Sequence, residues 1–267
     1  MNLEAVIDKN RVRKAFSRQA PLYEENAPLQ KEVARRLVSL IPLQLRIPNS
    51  ELRTLDIGIG TGFATKEFLS MFPAVRVFGC DIAWGMLVEA KKTRAILTET
   101  DVESLPYKDN TFDLVFSSLA FQWTDLNRSL VEAARILKPR ENLYFATFGE
   151  KTLRELIDSY SSAWHSMGIE GIPKTMKFES PQRIKILMEA TGFKDVEVKT
   201  DSIINTYQSP EALLRSLRAI GAGSHSKEFH QSRALLQEAF RIYEERYGSE
   251  KGVSATFEVV YAWGAKI

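Results

Sequence analysis

The sequence predicts an α/β fold built around a mostly parallel, doubly wound sheet. Two observations lead to this fold class. Between residues 52 and 147, short apolar runs typical of buried strands alternate with helical segments, and the connections between them are short. A glycine-rich loop follows the first strand, where sheets of this kind bind ligands. Right-handed crossovers then place helices on both faces of the sheet.

The elements follow in order from the local patterns. Residues 1–47 have helical apolar spacing and predict an N-terminal helical cap, and residues 48–147 predict a ligand-binding core. The strands predicted in the core are 52–57, 75–80, 95–98, 112–117 and 142–147. The helices predicted between them are 63–72, 86–92 and 127–137.

Beyond residue 148 the alternation stops. The apolar spacing predicts helices at 153–167, 181–191, 211–220 and 226–247, and strands within 196–207 and 256–263. We therefore predict a single domain over residues 1–267, in which 148–267 adds the remaining strands and a helical insertion near 209–250.

Composition and charge exclude several classes of protein. The 267 residues are 44% hydrophobic and 26% charged, close to an average globular protein. The net charge is only +2, whereas nucleic-acid-binding proteins usually have a larger basic excess. One cysteine, Cys80, and three scattered histidines are too few for a zinc site. We expect neither a nucleic-acid partner nor a metal.

Cellular location is predicted from the same composition. A single cysteine suits a reducing compartment. No apolar run reaches the ~20 residues needed to span a bilayer, and no secretory signal is apparent near the N-terminus. We expect a cytoplasmic protein that does not associate with membranes.

The most informative motif is a loop with Asp56, Gly58, Gly60 and Gly62 between the first strand and its helix. Glycines allow positive φ and close approach of the backbone to a ligand. A dinucleotide fingerprint requires glycine at position 63, where this chain has Phe63, and a P-loop requires Gly-Lys-Ser/Thr, which is absent. The spacing instead resembles the Asp-x-Gly-x-Gly-x-Gly loop of class I S-adenosylmethionine-dependent methyltransferases.

Four later motifs resemble the same superfamily in the same order. Asp81 ends the second strand, where a carboxylate can accept hydrogen bonds from ribose hydroxyls; helix capping is the alternative. Asp101 follows the third strand, where the superfamily commonly has an acid that contacts the adenine amino group. The strand 112–118 and the segment 136–139 complete the set. The resemblance implies S-adenosylmethionine as cofactor, bound by Asp56, Gly58, Gly60, Gly62, Asp81, Ile82, Met86, Asp101, Val102, Ser117 and Leu119.

The same resemblance specifies the fold. It implies the Rossmann-like class I methyltransferase fold, with a seven-stranded, mostly parallel sheet whose last strand is antiparallel, plus a helical cap.

Segments outside the cofactor core carry a narrower resemblance. Residues 118–123 are similar to an Asn-Leu-Ala-x-Gln-Trp signature, and residues 213–222 are close to a distinctive helical block. Residues 16–20, 23–30 and 152–156 match as well. Together these segments resemble the family of malonyl-[acyl-carrier-protein] O-methyltransferases of bacterial biotin synthesis. Departures from the family pattern include Ile59 for cysteine, Ser118 for asparagine and an altered pattern at 253–257.

The narrower resemblance implies methylation of the free carboxylate of a malonyl thioester on acyl-carrier protein. The methyl ester would then enter fatty-acid elongation toward biotin. Because such a carboxylate is ionised near pH 7, the reaction needs no general base. We expect Tyr23 and Gln122 to make polar contacts near the methyl group and Arg218 to bind the carboxylate. The alternative for Arg218 is an exposed helix residue.

Acyl-carrier proteins are acidic, so the enzyme needs a basic docking face. The N-terminal cap supplies candidates, and the alternative is an ordinary solvated surface. The candidates are Arg11, Arg13, Lys14, Arg18, Lys31, Arg35 and Arg36.

Two other functions stay open at this point. One is a methyltransferase of the same fold that acts on another small molecule, a dicarboxylate or a quinone precursor; Gln122 and the 213–222 block argue against it. The other is a methyltransferase-like assembly protein without transfer activity; the intact glycines and Asp81 argue against that.

Overall fold

The computed structural model describes residues 7–42, 52–171, 173, 177–222 and 232–267. Its strands are β1 (Arg53–Ile57), β2 (Arg76–Asp81), β3 (Ile96–Glu99), β4 (Phe112–Ser118), β5 (Leu137–Phe148), β6 (Phe193–Tyr207), β7 (Gly248–Ser249) and β8 (Gly252–Lys266). Its helices are α1 (Lys9–Gln19), α2 (Tyr23–Asn26), α3 (Pro28–Leu40), α4 (Phe63–Met71), α5 (Trp84–Ala90), α6 (Leu126–Ile136), α7 (Arg154–Ser166), α8 (Pro181–Ala190), α9 (Pro210–Ala219) and α10 (Arg233–Tyr247).

Seven strands form one continuous sheet in the order β3-β2-β1-β4-β5-β8-β6. The pairs from β3 to β5 are parallel, whereas β8 runs antiparallel to both of its neighbours. The two-residue strand β7 pairs with β8 outside this path. The predicted fold class is confirmed, including the antiparallel last strand.

The central strands are buried on both faces. Leu55 and Ile57 of β1 pack in one apolar cluster with Leu130 of α6. On the opposite face, Leu114 of β4 packs with Phe68 of α4. Strands covered on both sides need apolar residues at nearly every position, which explains why their sequences read as continuous apolar runs.

The main departure from the predicted elements lies at the start of β5. Helix α6 ends at Ile136 and β5 begins at once, whereas the sequence predicted a strand from residue 142. Pro139 cannot continue a helix, but it is tolerated in a strand near an irregularity. Arg140 supplies that irregularity with φ of 70°, and the pairing of β4 with β5 shifts register there.

Parts of two predicted helical segments lie outside the described residues: 1–6 and 43–47 of the first, and 226–231 of the second. Within the described ranges, no helix is both long and apolar enough to cross a membrane.

Candidate active site

A cavity lies at the carboxyl ends of β1, β2 and β4, the edge at which parallel sheets bind ligands. Residues from the glycine loop, from the end of β2 and from the loop after β3 converge on it. Eight of the eleven predicted cofactor-binding residues line this cofactor cavity: Gly58, Gly60, Asp81, Ile82, Met86, Asp101, Val102 and Leu119.

The glycine loop has the backbone conformation that its sequence requires. Gly58, Gly60 and Gly62 have φ of 69°, 56° and 86°. The amide of Gly58 donates to the carbonyl of Cys80 over 2.8 Å, which ties the loop to β2. A Cβ on Gly60 would meet a single atom within 4 Å, a carbonyl oxygen at 4.0 Å. The loop therefore leaves open space at Gly60, where we expect a ligand to contact the backbone of the loop.

Asp81 connects the glycine loop to the start of α5. Its Oδ2 accepts a hydrogen bond from the amide of Gly60 over 3.0 Å, and its Oδ1 accepts one from the amide of Ala83 over 2.7 Å. Burial raises the pKa of Asp81 to about 6, although these backbone amides act in the opposite direction. The bond to Ala83 is a local turn before α5 and not a helix cap, because Ala83 is itself the N-cap and receives no side-chain cap. The carboxylate of Asp81 still has lone pairs to accept ribose hydroxyls.

A second carboxylate lies behind the loop. Asp56 is buried, and its Oδ2 accepts from the hydroxyl of Thr65 over 2.7 Å, while its Oδ1 has no hydrogen-bond partner among the described residues. Burial, with a smaller effect from the charge of Asp81, raises the pKa of Asp56 to about 8. With that pKa, Asp56 is mostly protonated at pH 7, so the ionised carboxylate at the cavity is that of Asp81, which favours a ligand that is cationic or rich in hydrogen-bond donors. S-adenosylmethionine, with its sulfonium, ammonium and ribose hydroxyls, fits this requirement.

Three predicted cofactor residues do not line the cavity. The carboxylate of Asp56 lies behind the loop, Gly62 caps the N-terminus of α4, and Ser117 is fully buried. The hydroxyl of Ser117 donates to the carbonyl of Ile57 over 2.8 Å and so joins β4 to β1, whereas its neighbour Ser118 lines the cavity. These three residues support the elements around the cavity and do not line it.

Helix α1 contributes lining residues that the sequence did not single out. Lys9, Val12 and Phe16 face the cofactor cavity. The Nζ of Lys9 lies 2.6 Å from Oδ2 of Asp101 and 2.7 Å from Oε1 of Glu103. The helical spacing of Val12 and Phe16 predicted that this face of the helix is buried. Nothing in the sequence indicated that it packs over the cofactor cavity.

A second, mostly apolar cavity adjoins the cofactor cavity, and we call it the acyl cavity. The two share Phe16, Tyr23, Leu119 and Trp123 as a common wall. The remaining lining of the acyl cavity is largely aromatic and aliphatic: Gln30, Gln122, Phe148, Thr152, Leu153, Phe178, Leu217, Ile220, Ala222 and Phe257.

Two of the three predicted catalytic residues lie at this junction. Tyr23 lines both cavities, and burial together with the charge of Asp81 raises the pKa of its phenol, which stays protonated. Gln122 lines the acyl cavity with a fixed amide. Its Nε2 donates to the carbonyl of Leu119 over 2.7 Å, and its Oε1 accepts from the hydroxyl of Thr147 over 3.2 Å.

The third, Arg218, lies elsewhere. Its side chain is exposed in the last turn of α9, and it lines neither cavity. Its neighbour Leu217 faces the acyl cavity from the same helix. An amphipathic helix places adjacent residues on different faces, so the position of Arg218 in a distinctive block did not determine its direction.

Comparisons with known proteins agree with this architecture. Residues 55–145 match the family model described as a methyltransferase domain. A solved structure of a putative methyltransferase from Bacillus halodurans superposes with a TM-score of 0.59 at 16% identity, and the match covers 86% of this chain and 98% of that one. This likeness supports the fold alone.

Curated relatives match almost end to end. A malonyl-[acyl-carrier protein] O-methyltransferase from Geobacter sulfurreducens is 34% identical over 98% of this chain and 100% of its own length. One from Halorhodospira halophila is also 34% identical, over 97% of this chain and 88% of its own length. Their similarity extends beyond the cofactor core into the cap that forms the acyl cavity. The chain therefore belongs to the malonyl-[acyl-carrier protein] O-methyltransferase family.

Proposed function

We propose that this protein transfers a methyl group from S-adenosylmethionine to the free carboxylate of a malonyl thioester carried by acyl-carrier protein. The product is a malonyl methyl ester that serves pimeloyl synthesis for biotin. The observation that carries the proposal is the common wall of the two cavities. A cofactor held beside Asp81 faces an acyl group in the acyl cavity across Tyr23 and Leu119.

The residues at the junction act by orientation and exclusion of water. When bound, S-adenosylmethionine supplies the electrophilic methyl group. The malonyl carboxylate is ionised at neutral pH, so no residue has to remove a proton. Tyr23, kept protonated, donates a hydrogen bond that orients the carboxylate, and the fixed amide of Gln122 holds the backbone of Leu119 in place. The aromatic walls exclude water from the reacting oxygen.

Arg218 acts at an earlier stage in this proposal. Because its side chain is exposed and outside both cavities, it meets the carboxylate before the acyl group enters. Arginine suits this task since it binds carboxylates through two parallel hydrogen bonds. We propose that it contributes to capture of the substrate and not to the transfer step.

A labelled-methyl transfer assay tests the function. Malonyl-acyl-carrier protein, acetyl-acyl-carrier protein and free malonate are compared with methyl-labelled S-adenosylmethionine. We expect alkali-labile label on the malonyl carrier protein alone, because only it combines a carboxylate with the carrier. Arg218→Ala should raise KM for this substrate about tenfold, because one charge-assisted hydrogen-bonded pair is lost. The affinity for the cofactor should stay unchanged.

The contradictory outcomes are distinct. No label on any acceptor, with S-adenosylmethionine still bound, would reject the carboxyl methyltransferase and leave a methyltransferase fold with another substrate. Equal loss of cofactor affinity and of malonyl use in Arg218→Ala would assign that residue a structural role.

For the docking of the acidic carrier, we propose the outer face of α1. Among the described residues, Arg13, Lys14 and Arg18 are exposed and have no acidic partner. The other four basic candidates already have contacts. Arg11 pairs with Asp8, Arg36 with Glu32 and Asp201, Arg35 pairs with Glu67 and lies over the ring of Phe63, and Lys31 lies over the same ring.

Neutralising the outer face of α1 tests the docking proposal. The triple variant Arg13→Gln, Lys14→Gln and Arg18→Gln should raise KM for the malonyl carrier protein about tenfold at low salt, because attraction to the acidic carrier is lost. The difference should shrink at 500 mM salt.

Two controls separate docking from chemistry. A small malonyl thioester without the carrier should react equally well with both proteins. A control triple outside α1, Lys108→Gln, Arg183→Gln and Lys194→Gln, removes three exposed positive charges and should leave KM unchanged. A KM for the wild-type protein that does not respond to salt would refute docking on this face.

A further inference from the structure

Ion pairs on two sides hold the N-terminal segment 9–26 over the cofactor cavity. On one side, Lys9 of α1 contacts Asp101 and Glu103 at 2.6 and 2.7 Å, in the loop after β3. On the other side, Glu24 of α2 accepts from Nζ of Lys66 over 3.0 Å. Glu24 is also hydrogen-bonded to Thr61, which lies between two glycines of the loop after β1. Since β2 lies between β3 and β1, the two contacts flank the strand that ends in Asp81.

Between these contacts, α1 packs closely on α5. The hydroxyl of Ser17 accepts from the amide of Gly85 over 3.2 Å. A Cβ on Gly85 would lie 2.7 Å from the Cα of Ser17, so the two backbones meet without a side chain between them. Ala20 packs with Ala83 and Met86 just beyond. The segment therefore covers part of the ligand space, which it lines with Lys9, Val12, Phe16 and Tyr23.

The two contacts differ in exposure and hence in strength. The side chain of Lys9 is 30% exposed, and those of its partners Asp101 and Glu103 are 34% and 11% exposed, against 41% for Lys66 and 37% for Glu24, so the difference lies mainly in Glu103. Burial lowers the pKa of Lys9, but its hydrogen bonds to Asp101 and Glu103 raise it overall, so the side chain stays charged. Solvent screens the exposed pair more, and we expect the Lys9 contact to contribute more.

We propose that Lys9 and Glu24 are positioning residues of the cofactor site, which hold the segment 9–26 closed over the bound cofactor and slow its departure. The inference rests on the proposed function, because it takes S-adenosylmethionine or its demethylated product as the ligand. Lys9 also holds the carboxylate of Asp101 in place, since it is the shared cation of Asp101 and Glu103.

The test measures binding of S-adenosylhomocysteine without any turnover. Dissociation constants come from calorimetry and dissociation rates from stopped-flow displacement. We expect Lys9→Met to raise both about fivefold and Glu24→Gln about twofold, within the range of partly exposed ion pairs. The double variant should show about a tenfold increase. The rate of hydrogen exchange in residues 9–26 of the bound protein should increase from Glu24→Gln to Lys9→Met to the double variant. Lys9→Arg keeps the charge and should dissociate as slowly as the wild-type protein.

Matched controls remove a charge of the same sign elsewhere. Glu25→Gln changes the exposed neighbour of Glu24, and Lys108→Met changes an exposed lysine outside the cavity lining. Both should bind and release the ligand as the wild-type protein does. Wild-type protein without saturable binding would reject the proposed function itself. Normal wild-type binding with unchanged dissociation from Lys9→Met would reject the positioning role, even if that variant melted at a lower temperature.

Discussion

Asp81→Ala should raise the dissociation constant for S-adenosylmethionine about 100-fold or more, because each hydrogen bond to a charged group contributes about 1.5–3 kcal/mol. The substitution removes the acceptor proposed for the ribose hydroxyls. It also leaves the amides of Gly60 and Ala83 without their carboxylate, so the glycine loop loses its connection to α5. Calorimetric titration measures the effect.

The control for this prediction is Glu99→Ala. Glu99 ends β3 directly beside Asp81 in the parallel ladder, is exposed and does not line the cavity. The Glu99→Ala protein should bind the cofactor with the affinity of the wild-type protein. Equal loss in both variants would indicate a general electrostatic effect and contradict a specific role for Asp81.

The same carboxylate predicts a pH dependence. Burial raises the pKa of Asp81 to about 6 in the free protein, and ribose hydroxyls bind its ionised form. The dissociation constant should therefore rise as the pH falls below 6, about tenfold per unit. Asp81→Asn should bind weakly at every pH and lack this step. A step that persists in Asp81→Asn would assign the titration to another group.

Gly58→Ala should lower the free energy of unfolding by about 2–4 kcal/mol, the sum of a strained positive φ and an overpacked contact. Gly58 has φ of 69°, and its new Cβ would lie within 3.0 Å of the Cβ of Ala120. Because Ala120 follows Leu119 in the wall between the two cavities, cofactor affinity should fall as well. Chemical denaturation followed by circular dichroism measures the loss of stability.

Two variants separate the two causes. Gly168 also has positive φ, at 65°, but its Cβ would meet nothing within 4 Å. Gly168→Ala should therefore lose only the backbone contribution, about 1–2 kcal/mol. Adding Ala120→Gly to Gly58→Ala should recover the difference. If Gly168→Ala is as unstable as Gly58→Ala, the contact with Ala120 has no effect.

The sequence predicted correctly those features that depend on local backbone conformation and strand order. The parallel core, the positive φ of the glycine loop and the placement of Asp81 and Asp101 at strand ends all follow from short-range patterns. Each depends on strand periodicity, on glycine and on the rule that neighbouring parallel strands end at the same edge.

Features that depend on packing between distant elements could not be predicted in this way. Lys9 reaches Asp101 across 92 positions of the chain, and no local pattern encodes that contact. Ser117 and Ser118 are indistinguishable by type, yet the alternation along β4 buries one and turns the other to the cavity. The exposed direction of Arg218 likewise depends on how α9 is rotated against the sheet.

The apolar lining of the acyl cavity affects how the enzyme tells one acyl group from another. Aromatic and aliphatic walls accept a short uncharged chain readily, whereas a carboxylate loses its hydration on entry. Such a cavity is poorly suited to reject acetyl at the binding step. Apart from the proposed capture of the carboxylate by Arg218, discrimination then arises from reactivity, since the acetyl group has no oxygen nucleophile to offer. Acetyl-acyl-carrier protein would be a competitive inhibitor, and flux through the enzyme would follow the ratio of malonyl to acetyl carriers in the cell.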